Sequence, residues 1–482
     1  MTGSRKRRRA RQRRAGGAAP QPAPEPVSLG LEGELVVVVG FGASGRAAAE
    51  VLAADGARVL VTERRPLGEL DAPAPPGVEL RAGGHEPTHL DGAALLVVSP
   101  GVPPGALALT WARERDLPVW SELELGARLC RAPYIAVTGT NGKTTTVELL
   151  AAMMCAGGLK ARACGNVGYP FSLAAKETWD ALAVEASSFQ LALQEHLRPK
   201  VSVLLNLAPD HLDWHGSFEA YTDAKARVYA NQSGADVHVG NASDPEAARL
   251  SSAAPCEVRW FRAGPPEAGE TGVVDGRVSV RPATGTREET FALPDADGAF
   301  AIDAAAAVTA ALAFGVAPAA IRSALESFEP LPHRGAVVAV AGEVSFLDDS
   351  KATNPHATLA ALSGRRDVVL IAGGRAKGID LTPLRDAAEH VSAVVTLGEA
   401  AADIEAIFSG MVPTRRAASI EEAVALAFVE ARPGGEVLLA PACASQDMFR
   451  DYAERGDLFA GVATALAAAL AKHDEATEGD GG

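Results

Sequence analysis

The sequence predicts an α/β protein built from three separate domains with parallel sheets, and three observations carry that prediction. Short Val-rich apolar runs recur along the chain, each followed by a turn and then by a segment of helical spacing; this alternation builds parallel sheets. Two of the strand-to-helix turns are glycine loops, Gly40-Phe-Gly42-Ala-Ser44-Gly45 and Gly139-Thr140-Asn141-Gly142-Lys143-Thr144. At 482 residues the chain is also too long for one ordinary core.

Composition narrows the class. Hydrophobic residues make up 48% and charged residues 22%, as in globular proteins, and no apolar run approaches the roughly 20 residues of a membrane helix. The five cysteines form no C-x-x-C pair and read as reduced thiols of a cytoplasmic protein. The net charge of −15 is uneven. Residues 5–14 hold eight Arg and Lys and no acid, which leaves −23 for the rest of the chain. That body charge disfavours nucleic acid as a partner of the folded part. The basic stretch could bind RNA, DNA or anionic lipid, or be a solvated tail; no apolar segment follows it, so it is no secretory signal. Residues 1–27, basic and then Pro-rich, are expected to be a disordered tail, and so is the acidic, Gly-ended segment 473–482.

Residues 28–121 form the first domain. Leu35 to Val39 is a buried strand running into G-x-G-x-x-G, with a helix from Arg46 to Ala54. A second strand, Arg58 to Thr62, ends at Glu63. Alone, this Rossmann-like pattern is the dinucleotide fingerprint, with an acid for the ribose, and an NAD-dependent oxidoreductase is one reading of it. A third strand, Ala93 to Val98, ends in Ser99-Pro-Gly-Val102.

Residues 122–331 form the central, P-loop ATPase-like domain. A strand ending at Val137 enters Gly139-Thr-Asn-Gly-Lys143-Thr144-Thr145, shorter than the usual phosphate loop because Val137 stands where its first glycine belongs. Backbone N–H groups, the helix N-terminus and Lys143 there suit the phosphates of ATP, and Thr144 suits magnesium. The next strands end at Glu185-Ala-Ser187-Ser-Phe-Gln190 and at Asn206, before Asp210-His211. Those strand ends bring Glu185 and His211 to the rim that carries Lys143. A helix after Ser217 points Tyr221, Lys225 and Tyr229 one way; Lys225 could still be an ordinary cation paired with Asp210 or Asp213. Residues 232–297 read as peripheral β-structure and Phe300 to Phe314 as an Ala-rich helix. The third domain, 332–472, is again Rossmann-like, with strands Val344–Leu347, Val368–Ile371, Ala393–Thr396 and Val437–Ala440.

The loop Gly139-Thr-Asn-Gly-Lys-Thr-Thr on the middle of three α/β domains resembles the Mur ligase superfamily, ATP-dependent amide ligases of peptidoglycan precursor synthesis. Asp349-Ser-Lys-Ala-Thr-Asn354, Glu185-Ala-Ser-Ser-Phe-Gln-Leu191 and Pro441-Ala-Cys-Ala-Ser445 are similar to the member that joins D-glutamate to UDP-N-acetylmuramoyl-L-alanine. The resemblance implies an acyl-phosphate mechanism, a monomer, ATP and two magnesium ions. Thr144, Glu185, His211 and a carbamylated Lys225 would hold the metal. Lys143, with His333, Arg334, Asp349 and Lys351, would hold nucleotide and phosphate. Ser44, Arg64 and Ser99 would surround UDP, with Asn166, Ser187 and Gln190 on the acceptor, and Thr353, Lys377, Ser445 and Tyr452 on D-glutamate. Tyr452 stands where the family has phenylalanine. The family's His-Asn-x-x-Asn-Ala helix opening is matched here by Phe300-Ala301-Ile-Asp303-Ala304-Ala305, so weaker adenine recognition is expected. A nucleotide-binding protein without turnover and a folate-extending ligase are the other readings.

Overall fold

The computed structural model describes residues 28–479, apart from 286, 287, 295–297, 330 and 432, with side chains to Lys472. The expected tail at 1–27 lies outside the described residues.

Three sheets follow one another along the chain. The first is five parallel strands in the order β3-β2-β1-β4-β5: β1 (Leu35–Val39), β2 (Arg58–Glu63), β3 (Val78–Ala82), β4 (Ala93–Val98) and β5 (Val119–Ser121). The second comprises β6 (Tyr134–Thr138), β7 (Ala161–Gly165), β8 (Ala181–Glu185), β9 (Val201–Leu204), β10 (Val237–Asn241), β11 (Glu257–Arg262), β12 (Thr271–Val274), β13 (Arg277–Val280) and β14 (Glu289–Ala292). Its order is β14-β13-β12-β11-β10-β9-β6-β8-β7, and only β12–β14 run antiparallel to one another. The third comprises β15 (Ala336–Ala341), β16 (Val344–Asp348), β17 (Val368–Gly373), β18 (Val391–Leu397), β19 (Thr414–Arg416) and β20 (Glu436–Leu439), ordered β15-β16-β20-β17-β18-β19. Strands such as β6, β8, β9 and β17 are buried on both faces, as parallel strands under helices must be.

Topology builds the site. β6 lies inside its sheet with β9 on one side and β8, then β7, on the other, so the loops after these four strands meet at one rim. The helix Gly298–Phe314 packs on the helix Lys143–Ala156 behind the phosphate loop through a run of alanines, Ala304 to Ala307. Small side chains let the two helices come close. The segment expected as an acidic tail is different in the structure: the last helix runs Tyr452–Gly479. Beyond Gly461 the chain is rich in Ala, the strongest helix former, and no Gly or Pro interrupts it before residue 479.

A helix, Glu122–Leu129, joins the first sheet to the second. It sits so tightly on the short helix Phe171–Ala174 that a Cβ at Gly126 would strike the Phe171 ring. Glu122 is fully buried at this junction, and its Oε1 accepts the Ser172 N–H at 2.6 Å. Its Oε2 and the Ser172 Oγ have no hydrogen-bond partner among the described residues. Burial pushes the carboxyl up to about 7. The native state therefore keeps this proton longer than the unfolded chain does. Its stabilising effect is complete below about pH 4.5 and is lost as pH rises through 7, by an amount on the order of 3 kcal/mol. Glu122→Gln should flatten that slope in urea unfolding between about pH 5 and 8 and be at least as stable as wild type at the upper end. An unchanged slope would place the titration elsewhere.

Candidate active site

The phosphate loop leaves β6 and is fixed from the side by β9. Asn206 Oδ1 accepts the Asn141 N–H at 2.9 Å, and the Thr140 N–H bonds the Asn206 carbonyl. Gly142 opens the helix with φ +83°, and a Cβ there would run into the Asp303 carboxylate. Lys143 folds back, donating to the Gly139 and Thr140 carbonyls at 2.9 and 2.8 Å. Burial lowers its pKa. Beneath the loop Lys225 is 2% exposed, and its Nζ donates to the Gly139 carbonyl at 2.7 Å with the Tyr221 ring 4.7 Å away. Burial, then neighbouring Lys143, holds the Lys225 pKa well below the usual lysine range. Among the described residues Lys225 makes no ion pair with Asp210 or Asp213, and Asp210 is taken by Lys377 at 2.7 Å.

The neighbouring strand ends supply oxygen ligands. Thr144 Oγ1 donates to Glu185 Oε2 at 2.7 Å, and Asn166 Nδ2 donates to Glu185 Oε1 at 3.1 Å. They meet because β7, β8 and β6 are consecutive in the sheet. Burial pushes the His211 pKa down to about 4, so its imidazole is neutral at neutral pH and able to ligate. His211, His333 and Lys377 hold φ values of 53°, 61° and 56°, strain of the kind kept at working sites.

The third sheet closes the other side. Asn354 and Asn141 exchange side-chain hydrogen bonds at 3.0 and 3.3 Å, and Asn354 also donates to Asp210. Burial raises the Asp210 carboxyl, but Lys377 and His211 outweigh it and the net shift is down. Lys351 lies 3.6 Å over the Tyr452 ring, and burial brings its pKa to about 8. The cavity between them, about 290 Å³, is lined by Thr140 through Thr145, Asn166, Glu185, His211, Arg334, Asp349, Lys351 and Thr353. All of these belong to the sequence-predicted set and meet in one place; Gly139 and Lys225 lie directly behind them.

Other expected residues are elsewhere. Ser187 and Gln190 do not line the cavity: they cap the short helix Ser188–Leu191 on each other, and the Gln190 carbonyl accepts Ser121 Oγ at 3.1 Å. His333 is a buttress, its Nδ1 2.6 Å from Asp348 Oδ2. Ser445 is buried on the loop after β20. Ser44 and Ser99 flank the first glycine loop, where Arg64 is exposed. Ser99 Oγ has no hydrogen-bond partner among the described residues and lies only 2.9 and 2.8 Å from where a Cβ on Gly40 or Gly45 would sit. Glu63 does not wait for a ribose: its carboxylate accepts the Phe41 and Arg65 N–H groups at 2.7 and 2.9 Å.

The matches to known proteins follow the three sheets. The Mur ligase MurD-like N-terminal domain matches residues 34–121, the Mur ligase middle domain 137–268, and the Mur ligase glutamate ligase domain 333–443. A UDP-N-acetylmuramoylalanine--D-glutamate ligase from Frankia casuarinae is 44% identical, covering 91% of this chain and 95% of its own. One from Thermobifida fusca is 43% identical, covering 91% and 99%. The chain belongs to the Mur ligase family. Solved Mur ligases share the fold: UDP-N-acetylmuramate-alanine ligase MurC of Thermotoga maritima has a TM-score of 0.57 at 16% identity, covering 88% of this chain and 98% of its own. MurF of the same organism, in complex with ADP, has 0.57 at 17%, covering 92% and 97%.

In this Mur ligase the expected loss at Ala301 and Ala304 needs correction. Both are buried, Ala304 in the core behind the loop, so neither faces the cavity. The cavity face of that helix is Ala299, Phe300 and Asp303, with Phe300 stacked on Phe328 at 5.8 Å. The polar position on this face is therefore kept, as a carboxylate. Sequence reasoning named Asn206 and Asn354 without giving them a role, and it missed Arg455. Arg455 is 1% exposed and donates to Ser350 Oγ, the Ser350 carbonyl and the Cys443 carbonyl at 2.9, 2.8 and 3.2 Å. Nothing in its helical context marks it. Ala304→Asn should cost about 1–3 kcal/mol of stability for a buried unpaired amide and leave nucleotide affinity no better, as read by denaturation and nucleotide titration. Tighter nucleotide binding would mean that the other face of the helix reads the base.

Proposed function

We propose that this Mur ligase joins D-glutamate to UDP-N-acetylmuramoyl-L-alanine at the expense of ATP, in the cytoplasm, as a monomer. The observation that carries the reading is the cavity in which the phosphate loop, Glu185 and His211 of the second sheet meet Arg334, Lys351 and Thr353 of the third. In this reading residues 28–121 bind the UDP end, 122–331 the ATP and 332–472 the amino acid. Ser44, Arg64 and Ser99 serve UDP, and Asn166 the acceptor. Thr353, Lys377, Ser445 and Tyr452 serve D-glutamate. The same cation and hydroxyls that suit its two carboxylates offer nothing to a basic side chain.

A carboxylate cannot be displaced as oxide, so it must first be activated. The alanyl carboxylate oxygen attacks the γ-phosphorus, the bond to the bridging oxygen breaks and ADP leaves. The D-glutamate amine then attacks the acyl carbon; phosphate departs and the amine loses a proton. Lys143, Lys351 and Arg334 offset the charge of bringing an anion to a triphosphate. Magnesium, when bound, would supply positive charge to offset that of the phosphates. Thr144 and Glu185 would hold one such ion, and neutral His211 with a carbamylated Lys225 would hold a second. Asp210 and Asn354 hold the third sheet's loops in register with the phosphate loop, so the reactants need little further ordering.

Lys225 is proposed to work as a carbamate. Its neutral amine attacks the carbon of CO₂, an N–C bond forms, and a proton leaves to solvent. Burial beside Lys143 favours the neutral form this requires.

ADP release should require both acceptor and D-glutamate. Faster release with L-glutamate, L-lysine or diaminopimelate would overturn the assignment. Lys143→Ala should fold and lose turnover by several orders of magnitude. Lys225→Ala and Lys225→Arg should both be nearly inactive, with acetate partly restoring only the alanine variant. Protein equilibrated with ¹³C-bicarbonate should show a carbamate carbon signal that either variant removes. An active arginine variant, or no such signal, would exclude the carbamate. Because Lys351 loses its charge near pH 8, kcat/KM for ATP should decline above that pH in wild type and stay level in Lys351→Arg; an identical decline in both would exonerate Lys351.

A further inference from the structure

Four aromatic rings stand together between the two ends of the acceptor path. Phe189 lies 4.7 Å from His211, 4.9 Å from Trp214 and 5.7 Å from His215, with Trp214 and His215 4.4 Å apart. All four are only half-buried. On one side His211 borders the cavity where the acyl group is activated. On the other, the Trp214 Nε1–H donates to the Val102 carbonyl at 3.1 Å. Val102 closes the turn that begins at Ser99, its N–H bonding the Ser99 carbonyl, and Ser99 Oγ stands over the first glycine loop. Glycine loop, Ser99, Val102, Trp214, Phe189 and His211 thus form a continuous line from the first sheet to the second.

A UDP-linked sugar whose diphosphate sits on that glycine loop and whose acyl end reaches Asn166 and His211 must lay its pyranose along this line. Trp214 is suited to receive it. Its one polar side-chain atom is already bonded to Val102, so what it has left to offer is ring surface. Two flanking rings and the Nε1–H bond to Val102 fix its orientation, so little side-chain freedom is lost on binding. A pyranose presents a face of C–H groups that packs on such a surface as other apolar groups do.

We infer that Trp214, backed by Phe189, is the platform for the sugar ring of the acceptor and a specificity-determining residue for the muramoyl group. The inference rests on the acceptor assigned above. The sequence marks Trp214 only as a neighbour of Asp210 and His211, and none of the residues singled out for the UDP, phosphate or amino-acid sites performs this part.

The test compares binding of UDP and of UDP-N-acetylmuramoyl-L-alanine by calorimetry to wild type, Trp214→Ala and Trp214→Phe. A platform predicts that Trp214→Ala weakens the sugar-bearing ligand about tenfold or more, roughly 1.4 kcal/mol, and leaves UDP within about twofold. Trp214→Phe, which keeps a ring and loses the N–H, should stay within about threefold of wild type for both. If Trp214→Phe is as weak as Trp214→Ala, or if UDP weakens in parallel, Trp214 is a strut between the sheets and the platform is overturned. Saturation-transfer NMR on wild type needs no variant: irradiating aromatic protons should mark the pyranose protons more strongly than those of the lactyl-alanine arm, and the reverse order would sink the idea. Wild-type protein that binds UDP but not the muramoyl ligand would overturn the acceptor assignment and the platform together, a result distinct from either outcome above.

Discussion

The arrangement around the cavity depends on one partly buried ammonium. Lys143 is folded back onto two carbonyls of its own loop, at 2.9 and 2.8 Å. Carbonyl dipoles orient a cation without neutralising it, and burial accordingly lowers the Lys143 pKa. Lys225 and Lys351 are perturbed the same way and for the same leading reason. In a chain of net charge −15, cations gathered at one point are a matter of placement and not of composition. Such a group calls for a polyanion. Phosphates bound at the loop would meet that need and would restore Lys143 and Lys351 toward their charged form.

The closure of the third sheet on the second follows from the same need. The pairs Asp210–Lys377 and Asn141–Asn354 cross the cavity directly. A buried ion pair adds little net stability once desolvation is counted, but breaking it is costly, so its use is in fixing register. Here the register is that of the loop proposed for the amino acid against the phosphate loop. Arg455 acts from behind, tying the Ser350 loop to the Cys443 loop through carbonyls. Burial lowers its pKa only to about 10, so it stays charged at neutral pH. The residues proposed for D-glutamate, Thr353 and Ser445, stand on those two loops and depend on that tie.

What could be read from the sequence was what physics makes local. The buried inner strands β1, β2, β4, β6, β8, β9, β16, β17, β18 and β20 announce themselves as continuous apolar runs. Of the others, β10 to β14 were legible only as β-structure within residues 232–297, and β3, β5, β7, β15 and β19, which were not read, are sheet edges. An edge strand is covered less and needs no unbroken apolar run, and β3 alternates instead. The phosphate loop and its strand-end partners were legible because their spacing is their chemistry. Which face of a helix meets the cavity was not. In Gly298–Phe314 almost every residue is apolar, so periodicity distinguishes no side, and only packing against the helix Lys143–Ala156 turns Phe300 and Asp303 inward. Ser187 and Gln190 stand outside that cavity for another reason. A Ser-x-x-Gln pair just past a strand is also a capping box, and the backbone N–H groups there claimed both side chains first.

The first glycine loop shows the limit of motif reading in the other direction. G-x-G-x-x-G followed by a strand-end acid is the dinucleotide pattern, and Glu63 stands where the ribose acid would stand. In the folded chain that carboxylate is bound by the N–H groups of Phe41 and Arg65, so it anchors the loop and has no need of a ribose. The unmet group is Ser99 Oγ, a buried hydroxyl set against Gly40 and Gly45 from the neighbouring strand. A glycine loop says only that a backbone comes close to a phosphate. The neighbouring side chains decide which phosphate compound is accepted. Here they offer a hydroxyl beside the loop and an aromatic row leading away from it toward a second, cationic cavity, which suits a diphosphate that carries a sugar and an acyl chain better than one that carries a second nucleoside.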